Sequence, residues 1–256
     1  MLRVVFASLS TLLLLAILLP IQPATQAQAQ GSDVEYYAVI VGVADYQNLD
    51  PAPSSPLPGE AYDLPYSDDD AQDLYDELCS LWGSDHIKLL VDSEATKANI
   101  GDSVVSWLDP REDANDVVFF FFGGHSRQDY YGQEYLCPYE SSEYFCTYDI
   151  KDSELNGWLS YLESGKVVIM LDTCDSAGFF GELGQSGRVI LAGCGGDEVS
   201  WQYPSLGHSV FAYYLLNAFD NLEAVDTNDN RKISAEELFY YARPKVISYT
   251  DDDQHP

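Results

Sequence analysis

Three stretches of the chain are apolar without a polar alternate: Tyr37-Ala-Val-Ile-Val-Gly-Val43, Val117-Val-Phe-Phe-Phe-Phe122 and Val167-Val-Ile-Met-Leu171. A strand with one wet face alternates apolar and polar residues. Unbroken runs need cover on both faces, and a parallel sheet between two layers of helices supplies it. Ile87–Val91 and Val189 to Ala192 read as further strands of the same sheet. Helical patterns lie between them, opening at Ser67 and running over Lys97 to Leu108, Asp152 to Leu162 and Gly207 to Phe219. Asp68, Asp69 and Asp70 load the first turn of the Ser67 helix, where the macrodipole favours anions. Pro51 to Pro65 is a proline-rich surface loop. The expected fold is α/β, a three-layer α/β/α sandwich with a mostly parallel central sheet.

Charge narrows the partners. The chain has 42 Asp and Glu against 12 Lys and Arg, a formal charge of −30 over 256 residues. No concentrated basic face can form, so nucleic acid and anionic lipid are excluded as partners. With 46% hydrophobic residues the chain has enough apolar material for a core, and disorder is excluded too. At the N-terminus, Arg3 precedes an apolar run from Val4 to Pro20, followed by a polar stretch ending in Ala27-Gln28-Ala29. That order predicts a secretory signal over residues 1–29, cut after Ala29. An uncleaved anchor is the other reading, but the run is near the lower limit of a bilayer span. Residues 30–256 are then one domain working outside the cytoplasm.

Five cysteines in an extracellular chain leave at least one unpaired. Cys137 and Cys146 bracket a short polar loop and are expected to pair as a disulfide. Cys194 ends a strand and is read as lining the crevice wall. In parallel sheets, function collects beyond the carboxyl ends of the strands. Two strands end there in Gly123-Gly124-His125 and in Asp172-Thr173-Cys174. A Cys and a His so presented are the parts of a thiolate–imidazolium pair, and the amides of Ser126 and Cys174 are candidate oxyanion donors. A buried Cys and a capping His are the alternative. His86 and His255 read as surface residues, and His208 as packing at a helix start.

The runs Tyr37 to Tyr46 (YAVIVGVADY), Ser67 to Ala71 (SDDDA), Val117 to Ser126 (VVFFFFGGHS) and Val167 to Gly178 (VVIMLDTCDSAG) occur in that order. Together they resemble the caspase-like cysteine peptidases, metacaspase-like members in particular. The likeness covers roughly Tyr36 to Tyr241. It implies the three-layer fold, and it matches His125 and Cys174 to the catalytic pair. Peptidases of this kind that cut after Asp hold the substrate with an Arg near the first helix and a Gln two residues before the nucleophile. Here no Arg or Lys stands between Arg3 and Lys88, and Asp172 stands two before Cys174. The metacaspase positions for acids match Asp70 and Asp172. Two carboxylates favour an Arg or Lys side chain and repel an acidic one. Plain dipole complementation is the alternative for Asp70. Two positions depart from the family's habit: Ser126 follows the His where Gly is usual, and Asp175 follows the nucleophile. Only Phe179 to Arg188 separates the nucleophile's strand from the next, so single-chain action is expected.

Asp226 to Glu237 has the spacing of a calcium-binding EF-hand loop. Asp226, Asn228, Asn230, the Lys232 carbonyl, Ser234 and Glu237 fall at the ligand positions, with Arg231 where Gly is usual. A capped structural turn is the alternative. The sequence therefore predicts a secreted cysteine endopeptidase acting on protein or peptide substrates after Arg or Lys, with no cofactor for the chemistry and Ca2+ as an optional ion. A catalytically weak caspase-fold module that binds cationic peptides is the second reading. A legumain-type preference for Asn suits two pocket acids less well.

Overall fold

The unbroken apolar runs form the centre of a five-stranded sheet. The computed structural model describes residues 33–49, 64–142 and 146–256. The signal over 1–29 lies outside them, as does the proline-rich loop up to residue 63. Strands β1 (Tyr36–Gly42), β2 (Ile87–Val91), β3 (Val117–Gly123), β7 (Val167–Asp172) and β8 (Arg188–Ala192) pair in the order β2-β1-β3-β7-β8. Every pairing in this sheet is parallel.

Helices cover both faces. Val39, Val41, Phe120, Phe122, Ile169 and Leu171 point to a core shared with Ile100 and with Leu155 and Leu159. Those residues belong to α2 (Lys97–Asp102), prolonged by a wider π-turn over Ser103–Leu108, and to α3 (Asp152–Leu159). The alternate residues Ala38, Ile40, Phe119, Phe121 and Met170 meet the other layer. It consists of α1 (Ser67–Trp82), α5 (Val210–Asp220) and α7 (Ala235–Tyr249). The three-layer expectation is therefore met, and alternation survives inside the apolar runs as a choice of which core to enter. Among the described residues no helix is long and apolar enough to cross a membrane.

Smaller elements trim the carboxyl edge. β4 (Ser126–Gln128), β5 (Glu134–Leu136) and β6 (Ile150–Lys151) form an antiparallel sheet that starts directly after His125. A short α4 (Phe180–Leu183) precedes β8, and α6 (Leu222–Val225) follows α5. β9 (Gln202–Tyr203) and β10 (His208–Ser209) form a hairpin before α5. The helix expected from Gly207 thus starts later. Gly207 sits at φ +68°, and Ser209 caps the helix by accepting from the Ala212 amide at 2.9 Å.

Gly42 fixes how α1 meets the sheet. A Cβ there would fall against the Ser67 carbonyl and the Ala71 methyl, so only Gly lets the first turn of α1 cross the end of β1 so closely. That crossing carries Asp70 toward the end of β7.

Candidate active site

Strand register decides where His125 and Cys174 stand. β3 and β7 are neighbours, and Gly123 pairs with Asp172. His125 and Cys174 each lie two residues further on, so the two loops leave the sheet side by side at the same height. The Gly124 amide donates to the Asp172 carbonyl at 3.3 Å and continues the pairing past the last register pair. Both side chains are half-buried. Tyr46, from the first motif, accepts the His125 amide on its hydroxyl at 2.7 Å, with the two rings tilted 5.1 Å apart. The His125 carbonyl accepts from the Cys137 amide at 3.0 Å. The Ser126 hydroxyl donates to the Cys174 carbonyl and joins the two loops.

The Cys174 thiol is pushed above its ordinary pKa, chiefly by burial; the Ser200 amide opposes this, and Asp175 and Asp172 add to it. Asp175 is in the left-handed region at φ 52°, held by its amide on the Glu198 carbonyl at 2.8 Å. Cys194, the other thiol at a strand end, is fully buried and pushed up to about 12, first by burial. It donates to the Thr173 and Glu198 carbonyls, both at 3.2 Å. A thiol held so is a strut between loops and a poor nucleophile.

Asp70 and Asp172 come together although α1 and β7 are far apart in sequence. They are 2% and 5% exposed. Ser209 bridges them: its amide donates to Asp70 Oδ2 at 3.1 Å, and its hydroxyl donates to Asp172 Oδ2. Ser200 adds a bond to Asp172 Oδ1 at 2.6 Å. Burial raises Asp70 to about 7, with the His208 hydrogen bond opposing and the Asp172 charge adding. Asp172 is likewise raised by burial, against the Ser200 and Ser209 hydroxyls. Two buried carboxylates held together by hydroxyl and amide donors can stabilise an incoming cation and repel an anion.

Several site residues have no signature in the sequence. Ser200, Ser209 and Gln254 act through hydrogen bonds to segments distant in sequence. His208 does more than pack at a helix start: its Nδ1 stands 2.7 Å from Asp70 Oδ1. His255, read as a surface residue, is indeed partly exposed, and it bonds Glu198 through Nδ1 at 2.8 Å.

One other expectation is corrected. Cys137 and Cys146 are free thiols. Cys137 is buried and accepts from Arg127 Nε at 3.3 Å, while the Cys146 thiol hydrogen-bonds Asp149. The Arg127–Asp149 ion pair, 3.1 Å, stands among both thiols and gives each its own partner.

The Asp226–Glu237 loop, as it stands, does not fit a calcium ion. Glu237 Oε1 accepts from the Thr227 amide and hydroxyl and from Asn228 Nδ2, all at 2.9 Å. Its Oε2 accepts the Ser234 amide at 3.0 Å, completing a capping box for α7. Asp226 accepts the Asn230 and Arg231 amides. Donors thus face the oxygens that a cation would need, and Asn230 itself accepts the Lys232 amide. Arg231 takes the left-handed turn at φ 63° without glycine. Among the described residues no group of three or more His, Cys, Asp or Glu is placed to hold a metal ion.

Comparison with known proteins agrees with this architecture. No curated protein matches the chain in sequence. The protein GSU0716 from Geobacter sulfurreducens shares the fold, with a TM-score of 0.61 at 15% identity over 87% of this chain and 91% of that one. Residues 35–256 match the family model described as Caspase domain. The match begins just before β1 and takes in the ends of β3 and β7 with both acids beneath them, and on that extent the chain belongs to the caspase domain family.

Proposed function

We propose that this caspase-domain protein is a cysteine endopeptidase acting outside the cytoplasm, with Cys174 as nucleophile, His125 as its base and Arg or Lys as the residue before the cut. The observation that carries the reading is the convergence of buried Asp70 and Asp172 on Ser209, beside the strand ends that present His125 and Cys174. Cys174 Sγ attacks the substrate carbonyl after His125 takes its proton. The amides of Ser126 and Cys174 stand beside the forming oxyanion, and His125 returns the proton to the leaving amine. The leader pattern over 1–29 supports the location.

A second reading has its own support. The Cys174 thiol is raised, with Asp175 contributing, and this lowers the thiolate fraction at neutral pH. A chain that keeps the acidic pocket and has little turnover would serve as a binder of cationic peptides.

Short fluorogenic peptides ending in Arg, Lys, Asn or Asp separate the two. Hydrolysis after Arg or Lys alone, lost in Cys174→Ala and His125→Ala, is expected. Preference for Asp overturns the pocket assignment. Binding of basic peptides without hydrolysis favours the second reading.

A further inference from the structure

Asp70 already has an imidazole of the protein on it. His208, on the last turn of chain before α5, places Nδ1 2.7 Å from Asp70 Oδ1. Its Nε2 stands 3.6 Å from Asp73 Oδ2 on the next turn of α1. The imidazole is 18% exposed and Asp70 is 2% exposed, so the pair is shielded on the Asp70 side and open on the other. Asp69 contributes a third α1 carboxylate, and the Tyr213 ring of α5 lies 6.1 Å away. Asp172 faces Asp70 from β7. No other cation bonds either buried acid among the described contacts.

We infer that His208 is a specificity-determining residue of the acidic pocket: it is a built-in counter-ion that competes with the substrate's basic side chain for Asp70. The inference rests on the pocket reading above. Charge bookkeeping makes it work. With a proton on the His208–Asp70 pair, the two pocket acids and the imidazole sum to one negative charge; without it they sum to two. The hydrogen bond to Asp70 raises His208, and burial raises Asp70 to about 7, so the pair exchanges its proton near neutrality. Whichever atom holds that proton, the pocket attracts a full cation less below neutrality than above it. A neutral side chain is nearly indifferent to the change.

The test uses the full chain with His208→Lys, which fixes the cation, and His208→Gln, which removes it and keeps a hydrogen-bond donor. Peptides ending in Arg and in its neutral isostere citrulline are compared across about pH 5.5 to 8.5. At the alkaline end His208→Lys is expected to raise KM for the Arg peptide about ten-fold and to leave the citrulline peptide unchanged, while His208→Gln follows the wild type. In the wild type the Arg-over-citrulline preference rises with pH, in step with the His208 imidazole signal in NMR. A merely structural role would weaken both peptides alike. Equal KM values for the Arg peptide in His208→Lys and wild type overturn the inference. A Cys174→Ala background, with peptide affinity read by calorimetry, separates the two failures. Binding with the charge dependence but no turnover in the parent chain refutes only the catalytic reading. Binding without the charge dependence refutes the inference alone, and no binding at any pH refutes both.

Discussion

The Ser126 hydroxyl donates to the backbone carbonyl of Cys174, so the loop that carries the imidazole and the loop that carries the thiol are joined by a side chain. Glycine at that position would leave the two loops coupled only through the sheet. The expected effect of Ser126→Ala is a fall in kcat of about three- to ten-fold with KM nearly unchanged, because the tie sets the approach of the reacting groups. Steady-state kinetics on an Arg peptide checks it. A gain in kcat on substitution would mean instead that the hydroxyl crowds the substrate path.

The thiol's protonation can be probed without any substrate. Burial is the largest cause of the raised Cys174 pKa, and Asp175 is a smaller one. Asp175→Asn removes a negative charge and should raise the rate of Cys174 alkylation by iodoacetamide about two- to three-fold at neutral pH. The rate should climb into the alkaline range in both proteins, since a raised thiol pKa places the reactive thiolate there. An unchanged rate in Asp175→Asn would show that this carboxylate does not reach the thiol electrostatically.

Gln254 supports the pocket from the far end of the chain. It is fully buried; its Nε2 donates to the Gly193 carbonyl at 2.7 Å and to Ser200 Oγ at 3.2 Å, and its Oε1 accepts the Trp201 amide at 3.0 Å. Ser200 in turn donates to Asp172. Gln254→Ala strands these buried groups and should cost about 2–3 kcal/mol of stability by urea denaturation. It should also raise KM for basic peptides, because the Ser200 donor to Asp172 loses its support. Loss of stability with KM unchanged would confine Gln254 to holding the chain end in place.

The layers were legible because burial on both faces leaves an unbroken apolar run. The strand-end placement of His125 and Cys174 followed from the same runs. The pocket was legible only in part. Asp70 and Asp172 were reached through a family resemblance, since nothing local in Ser67-Asp-Asp-Asp-Ala71 distinguishes Asp70 from its neighbours. His208, Ser200, Ser209 and Gln254 escaped because each acts through contacts with segments distant in sequence; Gln254 reaches Gly193 across 61 residues. The expected disulfide failed for a related reason. Spacing suggested that Cys137 and Cys146 could meet, while the Arg127–Asp149 pair that gives each thiol its own partner depends on β4 and β6 being neighbours of β5.

Glu237 is held well below the usual carboxylate range, at about 2, first by the Ser234 amide and then by Thr227. A depressed carboxylate contributes stability above its unfolded pKa that is lost as pH falls through the folded value. Glu237→Gln should therefore lower Tm at neutral pH and converge with the wild type at strongly acidic pH. Calcium at about 1 mM should leave the wild-type Tm unchanged, since the loop's oxygens already accept from its own donors. A calcium-dependent rise in Tm, lost in Glu237→Gln, would show that the ion displaces those donors.

Asp70 makes the opposite contribution. Its folded pKa of about 7 stands above the ordinary 3.8, so between those values the folded chain binds more protons than the unfolded one. Stability then falls as pH rises through that window, the cost of holding a buried charge. His208 is also raised by its bond to Asp70, and its contribution is lost in the same direction as pH rises, but the two share one exchanging proton and form one titration rather than two. Asp70→Asn keeps the shape and an acceptor for the Ser209 amide while removing the charge. Between about pH 5 and about pH 8 the wild type should lose about 1–3 kcal/mol more stability than Asp70→Asn, measured by urea denaturation at each pH. The same substitution should remove cleavage after Arg and Lys, because a neutral amide offers no counter-charge. A variant more stable at high pH and unable to select a cation would identify Asp70 as a residue kept at a cost in stability for what it binds. Parallel stability curves for the two proteins would show that the proton resides elsewhere.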